Sequence, residues 1–347
     1  MGDCAILKHY DLSDNRIALE GLYGFQSHGK YRRYPAEIIA AYPRLADADK
    51  KCVGVRLRFR TDSGRIRVAF RLSHQFVDRG MSFFQANTAY AFVGPYACSS
   101  YAALVSADEP YKEETIHAEF RNDGMNDVTV FFPRNPTIEE VCIELDEQAS
   151  LVPPTPHRIS LPFVFYGSSI TEQGHTSTFL AYPTLLSRFF DADFYNFGAS
   201  GNAMGEPELA EHLARIPKSL FFFDYDHNAP TAAHLRETHE AFFRRFRSVD
   251  PVTPVIMTSR PADDTDDTVA RAAIIRETYE HARLHGDRHV YFIDGRTLFG
   301  GVDPSLCTTD RTHPNDLGHY QIAKTLERVI LEENLQAGCL PAPGESV

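Results

Sequence analysis

Along the first half of the chain, apolar and polar residues alternate one for one. In Val53-Gly54-Val55-Arg56-Leu57-Arg58-Phe59-Arg60 the apolar side chains take every second position and arginines fill the gaps. After Asp62-Ser63-Gly64, the residues Ile66, Val68, Phe70 and Leu72 alternate with Arg65, Arg67 and Arg71. A period of two belongs to a strand with one buried and one wet face, so the spacing predicts a β-hairpin turning at Asp62-Ser63-Gly64, its arginine rows on a solvated outer face. Ile116-Ala118-Phe120, Val128-Val130-Phe132 and Val141-Ile143-Leu145 repeat the pattern. Several short strands separated by turns predict a β-sandwich over residues 1–152.

The stretch Ala149-Ser150-Leu151-Val152-Pro153-Pro154-Thr155-Pro156 breaks the alternation. Proline removes backbone donors and disfavours both helix and inner strand, which predicts a rigid connector and a domain boundary between 152 and 153. Over 153–347 the period changes. Compact apolar runs at Phe163–Tyr166, Phe194–Phe197, Leu220–Phe223, Val255–Met257 and Val290–Ile293 read as buried strands. Between and after them, Ala181–Phe190, Glu206–Ile216, Ala232–Phe246, Thr268–Leu284 and Leu317–Glu332 have helical spacing. Strands alternating with helices predict a doubly wound parallel α/β sheet.

Composition narrows the partners. In 347 residues, 35 Lys+Arg stand against 47 Asp+Glu, a net charge of −12. That disfavours a nucleic-acid binder, whose affinity comes from cationic contacts to phosphate. No apolar run approaches the roughly 18 residues of a membrane span, and the start, MGDCAILKHYDLSDN, lacks a basic-then-apolar leader. The chain reads as a soluble cytoplasmic protein; a secreted form with its leader removed is the other reading. Six scattered cysteines without a C-x-x-C pair predict reduced, mostly buried thiols. His227, His281, His285 and His289 make no convincing ligand set, so neither metal nor cofactor is expected.

In an open α/β sheet, chemistry gathers beyond the carboxyl ends of the strands. Four polar clusters fall there: Gly167-Ser168-Ser169-Ile170-Thr171, Asn196-Phe197-Gly198-Ala199-Ser200-Gly201-Asn202, Asp224-Tyr225-Asp226-His227-Asn228, and Asp310-Arg311-Thr312-His313-Pro314-Asn315. Each alone has a bland reading as a turn, an Asx-turn or a helix cap. Together they suit acyl transfer. A serine needs an imidazole to take its proton, and a carboxylate must orient that imidazole. Asp310 and His313, three apart, can do so for Ser169. The backbone N–H groups of Ser169 and Gly201 and the amide of Asn228 supply three donors for an oxyanion. Ser168 is the competing nucleophile. His175, Asn202, Tyr225 and Arg260 lie near enough in sequence to line a substrate pocket. Position 171 is Thr where an α/β-hydrolase elbow needs Gly, and nucleotide-binding glycine patterns are absent.

This order of blocks resembles the SGNH (GDSL-type) hydrolase superfamily over residues 160 to 335, in its branch reading Gly-Ser-Ser-Ile-Thr. The resemblance implies Ser169 as nucleophile, Gly201 and Asn228 as oxyanion donors, His313 as base and Asp310 as its supporting acid. The third block departs from the usual Gly-x-Asn-Asp: Asn228 is kept and its flanks are not. The sandwich is similar to the jelly-roll module that precedes such domains in carbohydrate acetyl-esterases. The resemblance implies a serine esterase removing short acyl groups, acetyl foremost, from a sugar or similar small hydroxylated molecule. An O-acyltransferase using the same residues is the first alternative, and a noncatalytic carbohydrate-binding protein the second. A second copy of the chain is kept as a partner.

Overall fold

The computed structural model describes residues 7–24, 30–112, 114–261 and 265–336. Before residue 153 these hold the strands β1 (Leu7–Asp11), β2 (Ala18–Glu20), β3 (Arg56–Thr61), β4 (Arg65–Ser73), β5 (Ala89–Val93), β6 (Ser100–Val105), β7 (Thr115–Arg121), β8 (Asn126–Phe131), β9 (Thr137–Asp146) and β10 (Leu151–Val152). One antiparallel sheet runs β1-β9-β4-β7; a second runs β10-β3-β8-β5-β6, with β2 also on β3. The alternating apolar residues meet between the two sheets: Leu57, Phe59 and Val130 from one, Ile66, Val68, Ile143 and Leu145 from the other, all without solvent exposure.

The expected hairpin at Asp62-Ser63-Gly64 does not form. β3 pairs with β8 and β4 with β7 and β9, so the three residues carry the chain from one sheet to the other. Both strands bury their apolar faces, and placing those faces opposite one another buries more than placing them side by side. Ser63 fixes the corner, its hydroxyl donating to the Arg65 carbonyl at 2.6 Å.

The arginine rows are not uniformly solvated either. Arg67 and Arg71 face outward and pair with Glu144 and Glu140 across the sheet. Arg56 and Arg58 are buried, because the outer face of β3 packs against the second half of the chain. Arg56 meets Asp193 at 2.7 Å and Glu20 at 3.0 Å, and Arg58 meets Glu20 at 2.9 Å and the Thr155 carbonyl at 2.7 Å. His157 lies between Asp191 (2.8 Å) and Glu20 (3.0 Å). Charges this deep persist only when paired, and these are.

Past Val152 the chain enters a five-stranded parallel sheet: β11 (Ile159–Gly167), β12 (Ala192–Gly198), β13 (Leu220–Asp224), β14 (Val255–Thr258) and β15 (Val290–Ile293), ordered β12-β11-β13-β14-β15. The expected strands and helices of this half are all present. Along β11, Phe163 and Phe165 face one side and Val164 and Tyr166 the other, each fully buried. Helices Pro207–Arg215, Ala232–Val249 and Asp266–Leu284 cover the second side; Tyr182–Phe190 and Asp316–Glu332 cover the first. Burial on both faces explains why these strands are continuous apolar runs. Tyr34, Ile38, Leu45 and Ala48 also pack into the second-side core, although they precede the sandwich strands β3–β10.

Among the described cysteines, Cys52 and Cys307 are buried, Cys142 is half-buried and Cys98 is exposed, all free; Cys4 and Cys339 lie outside the described residues. The expectation of mostly buried thiols therefore holds for two of the four described. No helix among the described residues is long and apolar enough to cross a membrane.

Candidate active site

The strand order reverses about β11, and a cleft opens beyond the strand ends at such a point. β11 ends at Gly167, where the Ser168 N–H donates to the Asp224 carbonyl of the neighbouring strand at 2.7 Å. Ser168 then starts the one-turn helix Ser169–Glu172, its hydroxyl accepting from the Ile170 N–H at 3.2 Å. The two serines differ in their surroundings. Ser168 is fully buried and engaged as a helix cap, whereas the Ser169 hydroxyl lies 2.9 Å from His313 Nε2.

The loop before the last helix presents His313. Asp310 Oδ1 accepts the backbone N–H groups of Thr312 (3.1 Å) and His313 (2.7 Å), which leaves Oδ2 to face His313 Nδ1 at 2.8 Å. The carboxylate thus makes its own turn and orients the imidazole with separate oxygens. Capping of the following helix falls to Asn315, which accepts from the Gly318 N–H at 3.0 Å. Burial pushes the Asp310 carboxyl up, but the hydrogen bonds from His313 and Thr312 outweigh it and hold it down at about 2. It is therefore ionised at neutral pH.

Gly201 and Asn228 are brought together. The Gly201 N–H donates to Asn228 Oδ1 at 3.2 Å, and Asn228 Nδ2 donates to the Ala199 carbonyl at 2.7 Å. The first is at the long end for an N–H···O bond, so a charged oxygen can replace it as the stronger acceptor. Gly201 has φ of +68°, a conformation in which a side chain is strained. Asp226, two residues before Asn228, is fully buried and held by Arg260 and Arg271.

The cleft holds about 680 Å³. Ser169, Ser200, Thr309 and His313 line one side, and Asp78, Arg79, Gly80 and Arg134 from the sandwich half line the other. Of the four pocket candidates, only His175 lines it. Its ring stacks on His313, and its Nδ1 meets the Thr309 hydroxyl. A Cβ on Gly80 would come within 2.3 Å of that ring, so only glycine lets the sandwich loop close here. The other three do not line it. Tyr225 is a core residue, 1 % exposed, with its hydroxyl on Thr238 at 2.6 Å. Arg260 is turned onto Asp226, and the Asn202 amide bonds the Ser200 carbonyl at 2.7 Å.

Burial holds His227 and His319 down at about 3, so both are neutral near pH 7. His175, Asp310 and His313 place ligand atoms within 4.8 Å of one another, a spacing a metal ion could use. Both His313 nitrogens already face partners in Ser169 and Asp310, so a metal there would displace one of them.

Sequence reasoning missed Glu172, Lys51, Asp78 and Arg134. Glu172 directly follows the first motif, but its partners are up to 121 residues away. No local signal could have joined them.

Residues 160–331 match the GDSL-like Lipase/Acylhydrolase family. No curated protein matches the chain. Among solved structures, a Bacteroides ovatus protein taken for a GDSL-like lipase is 20% identical, with a TM-score of 0.82 over 94% of this chain and 98% of that one. The salicylyl-acyltransferase SsfX3 from a tetracycline biosynthetic pathway is 20% identical, with a TM-score of 0.76 over 94% and 98%. A family two carbohydrate esterase from Clostridium thermocellum is 14% identical, with a TM-score of 0.60 over 81% and 93%. At these identities the likeness is one of fold, and it extends over both halves of the chain.

Proposed function

Since this chain belongs, through residues 160–331, to the GDSL-like lipase/acylhydrolase family, we propose that it is a serine esterase that removes short acyl groups, acetyl foremost, from a hydroxylated small molecule such as a sugar. The observation that carries the reading is the relay Ser169–His313–Asp310, with contacts of 2.9 and 2.8 Å, at the wall of the cleft. His313 takes the Ser169 proton as the hydroxyl oxygen attacks the ester carbonyl. Asp310 stabilises the resulting imidazolium, and the Ser169 and Gly201 amides with Asn228 receive the oxyanion. His313 returns the proton to the leaving alcohol and then deprotonates a water, which releases the acid and restores Ser169.

The lining favours a short acyl group. None of the described residues lining the cleft has a large apolar side chain. A long chain gains about 0.8 kcal/mol per CH₂ only where an apolar wall buries it. We assign catalysis to residues 153–347 and an accessory role to 1–152, whose loops supply one wall of the cleft. The fold likeness to the carbohydrate esterase supports the sugar ester.

The likeness to the salicylyl-acyltransferase supports a second reading, transfer of the acyl group to another alcohol. The same residues would serve, with water kept out of the second half-reaction.

Incubation with p-nitrophenyl acetate, butyrate and octanoate, with Ser169→Ala alongside, tests both. Turnover falling from acetate to octanoate and vanishing in the variant is the expected result. A stoichiometric burst that resumes only when an alcohol is added would favour the transferase. Release that persists in Ser169→Ala would sink both.

A further inference from the structure

Glu172 sits three residues after Ser169 on the same one-turn helix and has no solvent exposure. One carboxylate oxygen accepts the Ser200 N–H at 2.6 Å. The other meets Lys51 Nζ at 2.9 Å and the Arg134 guanidinium. Lys51 and Arg134 precede residue 153, and both also pair with Asp78. Ser200 is the residue before Gly201. One buried carboxylate therefore links the nucleophile's helix, the oxyanion loop and two cations of the sandwich half.

We propose that Glu172 is a positioning residue for the oxyanion loop, holding the Ser200 amide and hence Gly201 against the nucleophile turn, and that the sandwich half keeps it in place through Lys51 and Arg134. This role rests on the hydrolase reading above.

The physical case has three parts. A peptide N–H donating to a carboxylate makes a stronger bond than one to a neutral acceptor, which suits a loop that must stay fixed while charge develops beside it. A carboxylate without solvent needs compensating cations, and none lies within the helix itself. Burial pushes Glu172 up, but Lys51, Arg134 and Arg33 outweigh it and hold the carboxyl at about 2, so it stays ionised at any working pH. The sandwich thereby becomes part of the catalytic apparatus as well as a wall of the cleft.

The test compares wild type, Glu172→Gln and Lys51→Met in the full chain. It reads kcat and KM on p-nitrophenyl acetate, labelling of Ser169 by a fluorophosphonate, and circular dichroism. Loss of one oxyanion donor costs about 10²- to 10³-fold in kcat, so a displaced loop should lower kcat by roughly 10- to 100-fold with KM within about threefold. Glu172→Gln keeps an acceptor for the Ser200 amide but loses both ion pairs. Lys51→Met keeps the carboxylate and removes a cation that does not line the cleft. Both should show the fall in kcat while remaining folded.

Folded variants with kcat within twofold of wild type, or with the whole loss in KM, would overturn the positioning role alone. Loss of fold in both would mark the cluster as structural and overturn it too. A wild-type protein inert to both ester and fluorophosphonate would overturn the hydrolase reading and this role with it.

Discussion

The imidazole of His175 lies against that of His313, with ring centroids 4.3 Å apart and planes 26° from parallel. Burial, and then the neighbouring His313, push the His175 ring down, so it packs against the His313 ring as a neutral plate. Its Nδ1 is tied to Thr309, four residues before His313 in the same loop. His175→Ala should leave His313 free to swing and lower kcat by about 10-fold, a loss on the scale of a sub-ångström misplacement. His175→Phe keeps the plane but not the Thr309 bond and should lose less. Steady-state kinetics on an acetate ester would check the order of the two variants.

Ser169→Ala and His313→Ala should each reduce kcat by about 10⁴-fold or more, and Asp310→Asn by about 10⁴-fold. Ser168→Ala should instead act on stability, removing a helix cap worth about 0.5–2 kcal/mol. A fluorophosphonate adduct mapped by mass spectrometry should remain on Ser169 in that variant. Finding it on residue 168 in the wild type would overturn the assignment.

Gly201→Ala meets no atom within 4 Å, so any effect comes from backbone strain at φ +68° and not from a clash. The strain should cost about 1–2 kcal/mol in a denaturation midpoint. If the loop relaxes by turning its N–H away, kcat should fall by about 10²-fold, as for loss of one oxyanion donor. A normal kcat with lowered stability would show that the loop keeps its conformation and bears the strain.

The buried cluster joining the two halves predicts a pH dependence of stability. Burial pushes His157 down, but Asp191 and Glu20 outweigh burial and the opposing Arg58, so its pKa is raised in the folded protein. A group raised on folding contributes stability that is fully present below its unfolded pKa and is lost as pH rises through the folded one. Wild type should therefore lose more stability than His157→Gln as pH rises from about 6, just below the usual histidine value, toward 9. Urea unfolding of both proteins across that range would show it; parallel curves would contradict it.

Much of this was legible in the chain because local pattern and local physics agreed. The apolar runs from Phe163 to Ile293 stay buried on both faces whatever their neighbours do, and the period-two runs need one face covered. Ser169, Asp310 and His313 could be read because each sits at a strand end or in a short turn that its own residues build. Asp310 makes that turn with the backbone amides of Thr312 and His313. What tertiary structure decided was which faces meet. β3 and β4 look like a hairpin in sequence, but their apolar faces are satisfied across the core. Arg56 and Arg58 look like solvent-facing residues until Asp193 and Glu20 arrive from elsewhere in the chain. Tyr225 and Arg260 end their strands near the site, yet their side chains find partners in Thr238 and Asp226. Periodicity records whether a residue needs burial or a partner, but not who supplies it. For Glu172 the supplier is Lys51, 121 residues away.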